Sequence, residues 1–157
     1  MFHVKHSGGA AGGLREQSPM YPALTVFEAY AATARLSLSE EQRNCLLAGA
    51  KWLASASAAT ALSQYRDVED VLLRAMGPAL AYFGCLESPR SGVIAHVGAG
   101  NGAIGATIAL LAPDLEIHLV DRARRAYTAS ELLVARMGLK NARPLQVDLR
   151  SLTVMYD

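Results

Sequence analysis

Residues 93 to 105 read Val93-Ile94-Ala95-His96-Val97-Gly98-Ala99-Gly100-Asn101-Gly102-Ala103-Ile104-Gly105. The first five are apolar apart from His96 and come after the turn-rich break Ser88-Pro89-Arg90-Ser91-Gly92, which predicts a buried strand. Glycines at 98, 100, 102 and 105 then form a loop, and the apolar residues after it predict a helix ending near Pro113. Working outward, Glu116 to Val120 predicts a second strand with Asp121 at its carboxyl end. A helix over Arg124 to Met137 stops at Gly138, and Arg143 to Val147 and Thr153 to Tyr156 predict two further strands. Strands alternating with helices imply a parallel sheet with right-handed crossovers, an α/β doubly wound fold.

Upstream the texture is helical. Ser39-Glu40-Glu41-Gln42 has capping-box spacing and leads into Leu46, Leu47, Leu53 and an Ala-rich run. Asp67 is placed to cap a second helix, in which Val68, Val71, Leu72, Ala75, Ala79 and Phe83 recur at three- and four-residue spacing, with Gly77-Pro78 expected to bend or interrupt it. Residues 1–19 are Gly-rich, lack apolar periodicity and read as a flexible arm on which His3 and His6 are solvated. The expected organisation is an arm at 1–19, a helical cap at 20–90 and a partial nucleotide-binding domain at 91–157.

Bulk properties narrow the function. A chain of 157 residues that is 52% apolar can bury one core. A net charge of +1 excludes a general polyanion binder, so any nucleic-acid affinity has to be local. Cys45 and Cys85 stand alone, without Cys or His neighbours at metal-ligand spacing, so neither a metal nor a disulfide framework is expected. Without an apolar leader or a spanning segment, a cytoplasmic location is expected and membrane insertion is not.

A strand, a glycine loop and a helix bring backbone close to a nucleotide-like ligand, because a Cβ would block the approach. Asp121, just past the second strand, can accept two hydrogen bonds from a ribose diol. Two ligands compete for this pattern. Gly100-x-Gly102-x-x-Gly105 satisfies the dinucleotide fingerprint, whereas Gly98-x-Gly100-x-Gly102 satisfies the loop of S-adenosylmethionine (SAM) enzymes. The dinucleotide form wants its first glycine at the strand end, and the extra Gly98-Ala99 favours SAM. Residues 122 to 143 carry Arg122, Arg124, Arg125, Arg136, Lys140 and Arg143 against the single acid Glu131, an asymmetry suited to phosphate. His96 reads as a hydrogen-bonded structural residue, and no catalytic residue is assigned.

The stretch Val93 to Leu152 resembles the RsmG (GidB) family of methyltransferases, which methylate N7 of a guanine in small-subunit (16S) ribosomal RNA. The likeness runs through Val97 to Gly105, His118-Leu119-Val120-Asp121, Arg124-Arg125 and Met137-Gly138-Leu139-Lys140-Asn141-Ala142. Trp52-Leu53 and the segment from Ala61-Leu62-Ser63 through Asp67, Glu69 and Arg74 are similar to that family's helical cap. The resemblance implies a class I SAM-dependent methyltransferase fold, small-subunit RNA as partner with Arg122, Arg124 and Arg125 on its phosphates, and SAM held by Gly98, Ala103 and the Leu149-Arg150 pair. With the loop pattern, the expected cofactor set is Gly98, Gly100, Gly102, Ala103, Gly105, Asp121, Leu149 and Arg150.

Departures from the family bear on activity. His96 stands where the family has an acid, Ile104 where it has proline, and Thr60-Ala61-Leu62 where it has an N-L-T-like segment. Its H-x-x-D-S signature becomes Ala75-Met76-Gly77-Pro78-Ala79. Arg150 stands where relatives place an acid, and Asp148 is the nearby carboxylate able to accept from an adenine amino group. Methyltransferase sheets have seven strands, so four strands here predict a truncated sheet or one completed by another subunit. The rival reading is a decayed relative that binds RNA or a partner without methyl transfer.

Overall fold

The computed structural model describes residues 21–60, 65–85 and 90–151. The arm expected at 1–19 and the strand expected at Thr153 to Tyr156 lie outside them. Strands β1 (Gly92–Val97), β2 (Leu115–Asp121) and β3 (Ala142–Gln146) form a parallel sheet in the order β1-β2-β3. Register sets Gly92 against Leu115 and Val97 against Val120, then Ile117 against Ala142 and Asp121 against Gln146. The helix Ala103–Leu111 connects β1 to β2, and Arg124–Met137 connects β2 to β3. The alternation is the one expected from the sequence.

Burial differs from the expectation at β1. Its apolar run predicts a buried strand, yet its four inner residues are half-buried and its two ends exposed. The most buried strand is β2, where Leu115, Ile117 and Leu119 are all inaccessible. The reason is position: β2 is flanked on both sides, whereas β1 is paired on one side only among the described residues.

Before the sheet come helices α1 (Pro22–Thr33) and α2 (Glu40–Thr60), a turn of α3 (Val68–Asp70) running into a π-helical segment (Val71–Met76), and α4 (Ala79–Gly84). Helix α1 has no side-chain cap; it starts on Pro22, and Ala23, Phe27 and Ala31 at four-residue spacing form its buried stripe. The capping box of α2 is formed: Gln42 N–H donates to Ser39 Oγ at 3.1 Å, and Ser39 N–H donates to Gln42 Oε1 at 2.9 Å. Asp67 caps α3 by accepting from Asp70 N–H at 2.8 Å. Gly77-Pro78 interrupts the next helix through a wide turn in which Gly77 N–H reaches the Leu72 carbonyl at 2.8 Å. A Cβ on Gly77 would lie 2.4 Å from the Leu73 carbonyl oxygen, so the turn closes only over glycine. The cap and the sheet share one hydrophobic core that joins Phe27, Leu46, Leu72 and Met76 to Ile117, Leu119 and Leu133.

The helices after β1 and β2 are α5 (Ala103–Leu111) and α6 (Arg124–Met137). Helix α6 ends at Gly138, whose φ of +64° lets Leu139 N–H return to the Val134 carbonyl at 3.1 Å. Asn141 acts as a staple just beyond it. Its side-chain amide donates to the carbonyls of Ala109 (2.9 Å), Ala112 (3.3 Å) and Leu115 (2.8 Å), and its own carbonyl accepts from Ile117 N–H at 2.7 Å. Those acceptors include a terminal carbonyl of α5 that has no helical partner. Asn141→Ala should therefore destabilise the fold by about 1–3 kcal/mol, read from the urea midpoint at unchanged m-value; an unaltered midpoint would show that water satisfies these carbonyls.

Candidate functional site

The glycine loop is built between two strand ends. Gly98 N–H and Ala99 N–H both donate to the Val120 carbonyl, at 2.8 and 3.1 Å, which ties the loop's first residues to β2. Asp121 anchors the middle of the loop and the segments beside it. Its Oδ2 accepts from Gly100 N–H at 3.0 Å, its Oδ1 accepts from Ala123 N–H at 2.9 Å, and its backbone carbonyl accepts from Val147 N–H at 3.1 Å. Asn101 Oδ1 accepts from Ala103 N–H at 3.1 Å and so satisfies a free donor of α5.

The glycines do different work. Gly98 and Gly100 have φ of +71° and +57°, and the space where a Cβ would stand is open. Gly102 and Gly105 are packing positions: a Cβ on Gly102 would lie 2.9 Å from Ser130 Cβ, and one on Gly105 would lie 2.2 Å from Leu119 Cδ2. They allow α5 to seat against β2 and α6.

Two concavities adjoin the loop, and Gly98 borders both. The first, about 400 Å³, lies outside the carboxyl ends of the strands and is lined by Val97, Gly98, Asp121, Asp148, Leu149 and Arg150. It brings together Gly98, Asp121, Leu149 and Arg150 from the expected cofactor set, while Gly100 and Ala103 line the second concavity. Val97 is 47% exposed and Leu149 56% exposed, so the first cleft offers apolar surface beside the Asp121 carboxylate. The second, about 410 Å³, lies on the cap side and is lined by Tyr65, Arg74, Ala75, His96, Gly100 and Asn101 among others. A larger groove of about 620 Å³ runs between α1 and the π-helical segment past Phe27, Tyr30, Leu73 and Leu80, away from the loop.

Side-chain pairing refines two readings. Asp148 is held by Arg150, while its Oδ2 keeps a lone pair able to accept from an adenine amino group. Arg150 donates to it through Nε at 3.0 Å, Nη2 at 2.7 Å and its backbone N–H at 3.0 Å. The guanidinium and that N–H pull the carboxyl pKa down to about 2, so the pair stays ionised down to that pH. His96 is not a hydrogen-bonded structural residue: its Nδ1 is buried with no partner. Burial also holds its pKa below the ordinary value, so the ring is neutral near pH 7.

Arg122, Arg124 and Arg125 are exposed at the start of α6 and form no salt bridge among the described residues, whereas Arg143 pairs with Glu116 at 2.9 Å. Among the described residues, no three His, Cys, Asp or Glu side chains gather as metal ligands, and no helix is long and apolar enough to cross a membrane.

The residues from α4 through the strand ends that carry the first cleft are also those picked out by comparison with known families. Residues 79–155 match the methyltransferase small domain. The match supports a methyltransferase family, whose members generally use SAM, and the parallel sheet with its helices has the class I methyltransferase, Rossmann-like fold. No curated protein matches the chain.

The loop geometry generates a direct test. Asp121→Ala removes a charged acceptor worth about 1.5–3 kcal/mol from Gly100 N–H, so hydrogen exchange at that amide should speed up by tenfold or more. Exchange at the wild-type rate would mean that the loop holds its shape without the carboxylate.

Proposed function

We propose that the chain is a SAM-dependent methyltransferase of RsmG type, acting in the cytoplasm on N7 of a guanine in small-subunit ribosomal RNA. The observation that carries the methyltransferase reading is the first cleft, where a backbone-only wall at Gly98 faces the Asp121 carboxylate across the ends of β1 and β2. The residues fit the cofactor. Each Asp121 oxygen accepts one backbone N–H and keeps a second lone pair, two acceptors for two ribose hydroxyls. Val97 and Leu149 offer apolar surface to an adenine ring, and the lone pair left on Asp148 Oδ2 is an acceptor for its amino group.

Held in this cleft by Gly98 and Asp121, SAM would supply a methyl group already activated on a sulfonium, and an acceptor such as guanine N7 would need only a free lone pair to displace the thioether. N7 carries no proton, so the chain need hold no general base, in keeping with the neutral His96 and the paired Asp148 near the loop. The work left to the protein is alignment and exclusion of water. Arg122, Arg124 and Arg125 support the RNA reading: the first turn of α6 contains no acid, and its amino end disfavours cations. Phosphates docked beside these guanidinium groups would offset that cost.

A second reading, a decayed domain that binds without transferring methyl, is favoured by Ala75 beside the cap-side pocket and Pro78 after it, where the resembled family has histidine and aspartate.

Calorimetry and methyl transfer separate these readings. SAM or S-adenosylhomocysteine should bind and NAD should not. Gly98→Val, strained at φ +71° and intruding on the cleft wall, should abolish binding. Asp121→Ala should weaken it by about 1.5–3 kcal/mol. Tight NAD binding would refute the SAM assignment. Tritium transfer from labelled SAM to small-subunit RNA distinguishes enzyme from decayed domain. Replacing Arg124 and Arg125 with glutamine should lower RNA affinity and flatten its salt dependence by about one unit of slope per lost phosphate contact.

A further inference from the structure

We propose that the groove which α1 forms with the π-helical segment and α4 binds a single-chain amphiphile, an apolar chain that ends in an anionic head group. The site lies away from the glycine loop and does not depend on the methyltransferase reading. Val26, Tyr30 and Leu73 are three of the six large apolar side chains exposed among the described residues, and all three line this one groove of about 620 Å³. Single exposed apolar side chains are ordinary on a protein surface, whereas exposure gathered into one concavity marks a place that something apolar covers. Phe27 and Leu80, both part of the core, line the same groove. Thr33 donates its hydroxyl hydrogen to the Tyr30 carbonyl at 2.7 Å, so that donor is already satisfied within α1.

The groove has a charged end. A further concavity of about 350 Å³ shares Thr33, Ala34 and Gly84 with it and adds the exposed Arg35 and Arg90, with no acid in its wall. Neither guanidinium forms a salt bridge among the described residues. Arg90 is held in place: its guanidinium carbon lies 5.0 Å from the centroid of the Phe83 ring, and its Nη2 donates to the Phe83 carbonyl at 3.2 Å. Its Nε and Nη1 donors remain to be offered.

Arg35 is the informative residue. It follows the C-cap Ala34 with φ of +60°, and in that turn Arg35 N–H returns to the Ala32 carbonyl at 3.0 Å and Leu36 N–H to the Ala31 carbonyl at 2.9 Å. A closing turn of this kind ordinarily carries glycine, because a Cβ is strained in the left-handed conformation. The carbonyl end of a helix favours a cation anywhere in its last turn, which does not account for an arginine at the one strained position. Strain kept at a single residue points to the work of its side chain. Two cations lining one small concavity repel each other unless an anion joins them, and a carboxylate or phosphate can accept from each guanidinium fork. The apolar groove that shares its walls asks for a hydrocarbon attached to that anion. An amphiphile with a cationic head is opposed by both arginines, and a bare anion leaves Val26, Tyr30 and Leu73 in water.

The test is calorimetric titration of the whole chain with octanoate, decanoate and dodecanoate below their micelle concentrations, with decyl phosphate and decylamine as comparison arms. Binding should be saturable at one site, with affinity rising roughly threefold to fourfold per methylene, and isotope-edited NMR should show the Val26 and Leu73 methyl signals moving. Decylamine should bind at least tenfold more weakly than decanoate, and the tighter of decanoate and decyl phosphate names the head group. Arg35→Gly should weaken decanoate by about tenfold, the scale of a lost charge-assisted hydrogen bond, without lowering the melting temperature, because glycine suits the left-handed turn. A merely structural Arg35 would lose stability as well. Arg90→Gln should also weaken binding, and Leu73→Gln should flatten the chain-length dependence. Equal affinity for decanoate and decylamine, affinity independent of chain length, or full affinity in Arg35→Gly would overturn the inference. So would association with anionic vesicles without one-to-one binding of the free amphiphile, or a dimer broken by Val26→Glu in a chain that binds no amphiphile.

Discussion

Asp121 holds three separate segments in place: the glycine loop through Gly100, the start of α6 through Ala123, and the end of β3 through Val147. These bonds use different atoms of one residue at the end of the most buried strand. The position of β2 is set by Leu115, Ile117 and Leu119, so the carboxylate inherits its place from the core. Charge-assisted bonds of this kind are the stronger hydrogen bonds in proteins, and here they shape a loop of small residues that has little packing of its own. The same carboxylate keeps two lone pairs, so the group that organises the cleft is also the one left to recognise what enters it.

Much of this is legible in the sequence because the signals are local. Alternation of strand and helix, Gly138 after α6, the Ser39 capping box and the Asp67 cap each depend on residues within a few positions, and each is formed. Helix α1 escapes such a reading because its core face is three small or aromatic residues four apart, with no side-chain cap at its start. The burial of β1 departs from expectation for a different reason. An apolar run reports a preference for a covered place and not how many neighbours the topology supplies. The pairings that decide the clefts are also out of reach: Arg150 on Asp148 and the isolation of His96 Nδ1 are set by geometry, and no spacing rule encodes them. The glycines illustrate the same limit. The pattern marks all four as ligand contacts, while Gly102 and Gly105 are required by Ser130 and Leu119 behind them.

The charge layout divides the labour of the molecule. Cations gather at the start of α6 and donors on the cap side of the loop, while the cleft between the strand ends holds one carboxylate without an ion pair and a second paired with Arg150. The regions thus differ in chemistry: exposed cations outside, hydrogen-bond donors on one side of the loop, and carboxylates on the other.

Gly98 borders two cavities at once, and so one residue without a side chain belongs to the wall of both. A ligand in either cavity that displaced this peptide would change the free energy of filling the other, and thermodynamic linkage would make the two effects equal in size and sign. Two ligands on opposite faces of this loop would then bind as a coupled pair.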